Sequence, residues 1–185
     1  GTRVPEGAVL ECGNTELGRA GASPSGRAAW RAMSNGLKHL AGLGFTSVDA
    51  LVSDEAELEL LWALERAGKL PLRVYAVPPL GGDLASYERW RAKLAGPRLR
   101  FGHLKEFVDG VIESRTAWML EPYAGSEERG SPQQAPDKLA ARVALAHCRG
   151  FGVALHAIGD AAVRSALDSF EAAQKACPDK SPRHR

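Results

Sequence analysis

An α/β fold of parallel β/α units is predicted for this 185-residue chain by three observations. Strand-type and helix-type segments alternate along the sequence, the helical segments carry recognisable end signals, and each strand candidate is followed by a helix after a compact loop. Parallel strands need such crossovers, and crossovers of this kind are right-handed. With 44% hydrophobic and 25% charged residues, the chain has ordinary globular composition and enough material for one domain with a sizeable core.

The elements follow in order. Trp30, Met33, Leu37 and Leu40 recur at helical spacing, and Gly42 and Gly44 supply stop signals. TSVDAL (46–51) is the first strand candidate; DEAELELLWALERAG follows, with Asp54 and Glu57 in a capping-box arrangement and Gly68 as the terminator. LRVYAV (72–77) alternates and ends at Pro78-Pro79, after which ASYERWRAKL places Tyr87, Trp90 and Leu94 on one helical face. HLKEFVDG (103–110) is the third strand candidate, and residues 111 to about 135 form a long Gly-, Pro-, Ser- and Glu-rich connection of the kind that is often functional. Pro136 suits the first turn of DKLAARVALAHC, GVALHA (152–157) is the fourth strand, and GDAAVRSALDSFEAAQ is a helix expected to turn Val163, Leu167 and Phe170 inward, with Asp160 as its N-cap. Periodicity alone does not separate half of a TIM barrel from a small doubly wound sheet. No glycine-rich phosphate loop stands between a strand and a helix, since GLGF lies at a helix end before a strand.

Composition excludes several partners. No apolar run approaches the roughly 20 residues of a membrane span, and the opening GTRVPEGAVLECG lacks the order of a secretory signal. A net charge of +2 with interspersed signs argues against nucleic acid. Cys12, Cys148 and Cys177 are odd in number, distant and without CxxC pairing, so neither a disulfide framework nor a zinc knuckle is expected. A reducing, cytoplasmic location fits that usage, with Cys148 read as a small buried hydrophobe.

In parallel β/α folds the chemistry sits at the C-terminal strand ends. Strand three alternates His103, Lys105, Phe107 and Asp109 against Leu104, Glu106 and Val108, while strand four ends in His156. Taken singly, each has a structural explanation: a lysine in a strand snorkels or pairs with an acid, Asp109-Gly110 is a good turn, and a lone histidine is usually a satisfied core residue.

The phrases LKEFVDGVIESRTAWMLEPYAG and GFGVALHAIGDAAVRSALDSFEAA, with the terminal RHR, resemble the amidohydrolase 3 family, which contains N-substituted formamide deformylases. The resemblance begins near GAVLECG and extends to the last residue. It implies a TIM-type barrel, here a partial one, with a binuclear divalent metal centre, zinc being the expected ion. Lys105 would be carboxylated and bridge the metals, and His156 would be a metal ligand; these two are the candidate catalytic residues. Carbamate formation needs a neutral amine, which desolvation favours. Arg115 and Tyr123, in the long segment, are candidates for substrate contact, and His184 is expected to be structural or to support a ligand. Glu106 stands at a position commonly apolar and should face the helices. The family's first-strand HxH pair, the histidine of IEH and the late-strand aspartate are not among these residues, so a fragment is expected that lacks metal-dependent hydrolysis by itself. The implied activity is hydrolysis of amide-like C–N bonds in a small molecule. The alternative is a non-catalytic binding or regulatory module on the same scaffold. Open sheet edges are expected to permit self-association.

Overall fold

The computed structural model describes residues 25–185; GAVLECG and Cys12 lie outside the described residues. Helix α1 (Gly26–Gly42) is followed by β1 (Ser47–Leu51), α2 (Glu55–Arg66), β2 (Arg73–Val77), α3 (Leu84–Lys93), β3 (Leu99–Phe101), β4 (Leu104–Phe107), α4 (Pro136–Cys148), β5 (Val153–His156) and α5 (Asp160–Ala176). The predicted end signals operate locally. Asp54 accepts from the Glu57 N–H, and the Glu57 carboxylate accepts in return from the Ser53 N–H, one residue earlier than an ideal capping box. Pro136 occupies the first turn of α4, where no N–H is needed.

All strand pairs are parallel: β1 with β2, β2 with β3, and β4 with β5. The two groups are joined because Lys105 N–H donates to the Pro78 carbonyl and Leu80 N–H donates to the Lys105 carbonyl, each at 2.8 Å. Between Ala76↔Phe101 and Pro79↔Lys105 the register slips by one residue, so Gly102-His103 forms a bulge and β3 and β4 are two halves of one broken strand. The strands therefore neighbour one another in sequence order with no reversal. The tail continues this pattern: Arg185 N–H donates to the Val153 carbonyl, and Leu155 N–H donates to the Arg185 carbonyl.

The third strand expected over 103–110 is thus corrected at both ends. It stops at Phe107, and its first half, LRF, was missed because three residues after Gly96-Pro97 show no readable alternation.

One face of the sheet carries Val74, Ala76, Leu99, Leu104 and Val153, all fully buried against the helices, where they join Leu58, Leu61 and Leu64 of α2 and Leu139 and Val143 of α4. Each buried Val or Leu among them contributes about 1.5–3 kcal/mol by leaving water. Tyr87 and Trp90 of α3 and Leu94 at its C-cap are buried as their spacing predicts. Helix α5 departs from expectation. Val163 is 41% and Leu167 60% exposed, while Ala162, Ala166, Ser169 and Ala173 are buried. Phe170 packs partly buried against the core as expected, but small side chains let α5 approach α4 closely, which leaves Val163 and Leu167 turned outward.

Cys148 and Cys177 form a disulfide with Cα atoms 5.4 Å apart. This overturns the expected absence of a disulfide and removes the basis for a reducing compartment. Both residues end helices that lie side by side in the same direction, a proximity that a separation of 29 residues conceals. Among the described residues, no helix is long and apolar enough to cross a membrane.

Candidate metal centre

The opposite face of the sheet is open. In-register residues of parallel strands project to the same side, so the pairs Lys105↔Ala154 and Phe107↔His156 place Lys105, Phe107 and His156 on one face, Phe107 and His156 at the C-terminal ends of β4 and β5 and Lys105 two residues before the end of β4. Two residues along one strand and one strand across, the Lys105 and His156 Cα atoms are about 8 Å apart from standard strand spacings. The Phe107 ring lies between them, with its centroid 5.2 Å from the His156 ring and 3.8 Å from Lys105 Nζ.

Lys105 Nζ donates to the Glu106 carbonyl at 2.8 Å. Burial holds its pKa below the ordinary lysine value, against an opposing pull from the Glu106 carboxylate. The ring of Phe107 favours the cation, whereas desolvation works toward the neutral amine that a carbamate requires. Glu106 points the other way, as expected: its carboxylate pairs with Arg142 of α4 at 2.7 Å, which accommodates an acid where an apolar side chain is usual.

His156 is held by a backbone contact, its Nε2–H donating to the Gly110 carbonyl at 2.8 Å. That bond leaves Nδ1 with the lone pair, which is how a ligating imidazole is commonly oriented. Lys105 and His156 therefore fit as two donors, by chemistry and by shared face. Among the described residues, no group of three or more His, Cys, Asp or Glu side chains is arranged to hold a metal.

Asp109 is placed differently from the alternating pattern. It lies beyond the strand end and is fully buried, so it does not share the open face with Lys105. Its carboxylate accepts from the backbone N–H groups of Trp118 (2.8 Å), Ile158 (3.0 Å) and Gly159 (2.8 Å), and lies 4.0 Å from His156 Nε2. Sequence reasoning missed this knot, although its members belong to the VDG, SRTAW and HAIGD segments that carried the resemblance. Gly159 is needed there because a Cβ would overlap the Trp118 backbone. Asp160 is the first residue of α5 and not its N-cap; its carboxylate accepts from Leu120 N–H at 2.7 Å and Ala161 N–H at 2.9 Å, tying the long loop to the helix.

Arg115 and Tyr123 are bonded within the loop. Arg115 forms an exposed 3.7 Å ion pair with Glu128, and the Tyr123 hydroxyl donates to the Ala117 carbonyl at 2.8 Å. Neither is hydrogen-bonded or ion-paired to Lys105 or His156. His184 lies elsewhere, stacked on Phe170 with ring centroids 4.6 Å apart. Val153 N–H donates to its Nδ1 (3.2 Å), so its Nε2–H donates to His147 Nδ1 (2.9 Å), and His147 Nε2–H donates to the Cys177 carbonyl (3.1 Å). One proton order satisfies the whole chain with both rings neutral, and burial, then His147 and His103, lower the His184 pKa to about 4.

Residues 2–185 match the amidohydrolase family. The chain belongs to that family. It is 32% identical over 128 residues to YtcJ of Bacillus subtilis (strain 168), itself named as an amidohydrolase, covering 62% of this chain and 23% of that protein. It is 33% identical over 152 residues to the exoenzymes regulatory protein AepA of Pectobacterium carotovorum subsp. carotovorum, covering 77% of this chain and 32% of the other. Among solved structures, it resembles an uncharacterized metal-dependent hydrolase from Pyrococcus furiosus with a TM-score of 0.71 and 34% identity, over 85% of this chain and 33% of that one. A second, from Pyrococcus horikoshii OT3, gives 0.64 and 33%, over 75% and 29%. The amidohydrolase chain described here thus spans a quarter to a third of these relatives.

Proposed function

We propose that this amidohydrolase chain is part of the wall of a TIM-type barrel in a metal-dependent hydrolase of amide-like C–N bonds in small molecules. The observation that carries the reading is the shared strand-end face of Lys105 and His156. Strands that neighbour in sequence order without reversal, with helices packed behind one face, favour a barrel over a doubly wound sheet, whose order reverses at a switch point.

In this reading Lys105, as its carbamate, and His156, through Nδ1, are two donors to a pair of divalent metals, zinc in our proposal. Such ions supply Lewis acidity toward an amide carbonyl and toward water. The chain's own residues prepare the donors. Burial lowers the Lys105 pKa, in the direction of the neutral amine that carbamate formation needs, and the Gly110 carbonyl fixes the His156 ring. Residues 111–135, with Arg115 and Tyr123, close over the strand ends and shape the substrate pocket. A catalytic site needs about three protein ligands per metal, so further ligands come from outside residues 25–185.

The test is metal content by elemental analysis together with hydrolysis of simple N-acyl and N-formyl amines, in the full-length protein and its Lys105→Ala and His156→Ala variants. Loss of bound zinc and at least about 100-fold loss of turnover are expected for each. Full metal content and turnover in both variants would overturn the assignment. A non-catalytic regulatory module on the same scaffold is the second reading, favoured by the likeness to a protein named as a regulator. It predicts that the unmodified full-length protein binds no stoichiometric metal and hydrolyses none of these amines.

A further inference from the structure

We infer that Asp109 is a positioning residue: it clamps the loop after β4 to the β5–α5 turn and so holds the Gly110 carbonyl where it selects the His156 tautomer with Nδ1 free. The inference rests on the reading of His156 as a metal donor. It adds how the chain prepares that donor before any metal arrives.

A turn-closing aspartate would sit at the surface and bond its own turn. Asp109 instead is 0% exposed, and its three partners come from two distant segments: Trp118 in the loop, and Ile158 and Gly159 past the end of β5. A buried carboxylate is costly unless its lone pairs are matched, and here three N–H donors match them. The loop and the β5–α5 turn therefore cannot separate without stripping a buried charge of its partners. Gly110 follows Asp109 directly, so anchoring Asp109 anchors the carbonyl that receives the His156 Nε2–H. Gln133 adds to this, its Nε2 donating to the Asp109 carbonyl at 3.1 Å and its backbone N–H to the Val108 carbonyl at 2.8 Å. The Asp109 carboxylate, 4.0 Å from His156 Nε2, favours a proton on that same nitrogen.

The consequence is that the neutral ring adopts a single tautomer in the metal-free protein. If the clamp is loosened, the imidazole loses its fixed acceptor and both tautomers populate, only one of which presents Nδ1 to a metal.

The test uses the full-length protein, stripped of metal by chelation and labelled with nitrogen-15 at histidine, the His156 signals being assigned by their loss in His156→Gln. Nitrogen shifts report which ring nitrogen carries the proton. The native protein should show the Nε2–H form alone, and Asp109→Asn, which replaces one accepting oxygen by an amide, should show a mixture. Zinc affinity in the same variant should fall about 10–100-fold. Gly159→Ala, which wedges the Trp118 backbone away while leaving Asp109 intact, should have the same effect on the tautomer if Asp109→Asn fails to accumulate. Arg129→Ala, which loosens the same loop at its Glu121 ion pair, should leave the tautomer unchanged. A native Nδ1–H form, an unchanged tautomer in Asp109→Asn or Gly159→Ala, or an equal shift in Arg129→Ala would overturn the inference. If His156→Gln leaves zinc affinity intact, the donor reading has failed instead, and the metal-free tautomer still judges the clamp by itself.

Discussion

The two faces of the sheet use their residues in opposite ways. On the helix side, Val74, Ala76, Leu99, Leu104 and Val153 are sealed in the core. On the open side, Leu51, Tyr75 and Phe107 are exposed, and Lys105 and His156 stand half-buried among them. Adjacent residues of one strand therefore answer to different demands: Leu104 to packing, Lys105 to chemistry. Stability resides on the face where every methyl group has neighbours. The proposed metal donors occupy the face where desolvation is partial and side chains remain accessible.

Substitutions on the two faces can break this comparison. Leu104→Ala should cost about 2–4 kcal/mol in chemical denaturation, through lost transfer energy and a residual cavity. A cost below about 1 kcal/mol would show the core behind β4 to be loose. Next, the Cys148→Ser, Cys177→Ser double variant should lose about 2–4 kcal/mol, because the bond joins the ends of α4 and α5 across 29 residues. Reduction with a thiol should reproduce that loss, and an unchanged unfolding midpoint would count against the bond.

Acid should have a smaller effect, exerted through His184. Its folded pKa is lowered to about 4 from 6.5. Its contribution is therefore complete above about pH 6.5 and is lost as pH falls from there toward about 4, where the unfolded chain takes up the proton first. Discounted for partial solvent exposure, the loss is on the order of 1 kcal/mol. His184→Phe, which keeps a ring against Phe170, should flatten the dependence of melting temperature on pH in that window; an unaltered slope would place the effect elsewhere. The smallest expected effect is on the open face. Lys105→Met should change stability by less than about 0.5 kcal/mol while abolishing metal retention. A large destabilisation would mean that Lys105 supports the fold.

Much of the architecture was legible because it depends on local chemistry. Asp54 with Glu57, Pro136 and the glycine stops bracket helices whatever lies around them, and the Tyr87, Trp90 and Leu94 stripe falls on a buried face. The candidate site was partly legible for a related reason: strand alternation puts Lys105 and Phe107 on one side, and parallel register adds His156. The failures share one cause. The inward face of α5, the Cys148–Cys177 bond and the true place of Asp109 all depend on which segment lies opposite. Alternation extended past Phe107 put Asp109 beside Lys105, but the strand ends there and the side chain turns into the knot of amides from Trp118, Ile158 and Gly159.

The sequence by itself determined the succession of parallel β/α units, their helix ends, the strand-end lysine and histidine and, through its motifs, the family. Hydrophobic period and capping chemistry act over a few residues, so they can be read from neighbours along the chain. Tertiary structure alone decided the bulge at Gly102-His103, the close approach of α4 and α5, the neutral histidine relay from Val153 to Cys177 and the clamp at Asp109. Each of these is a contact between residues far apart in the chain, and its energy depends on distance and desolvation that only the packed molecule supplies.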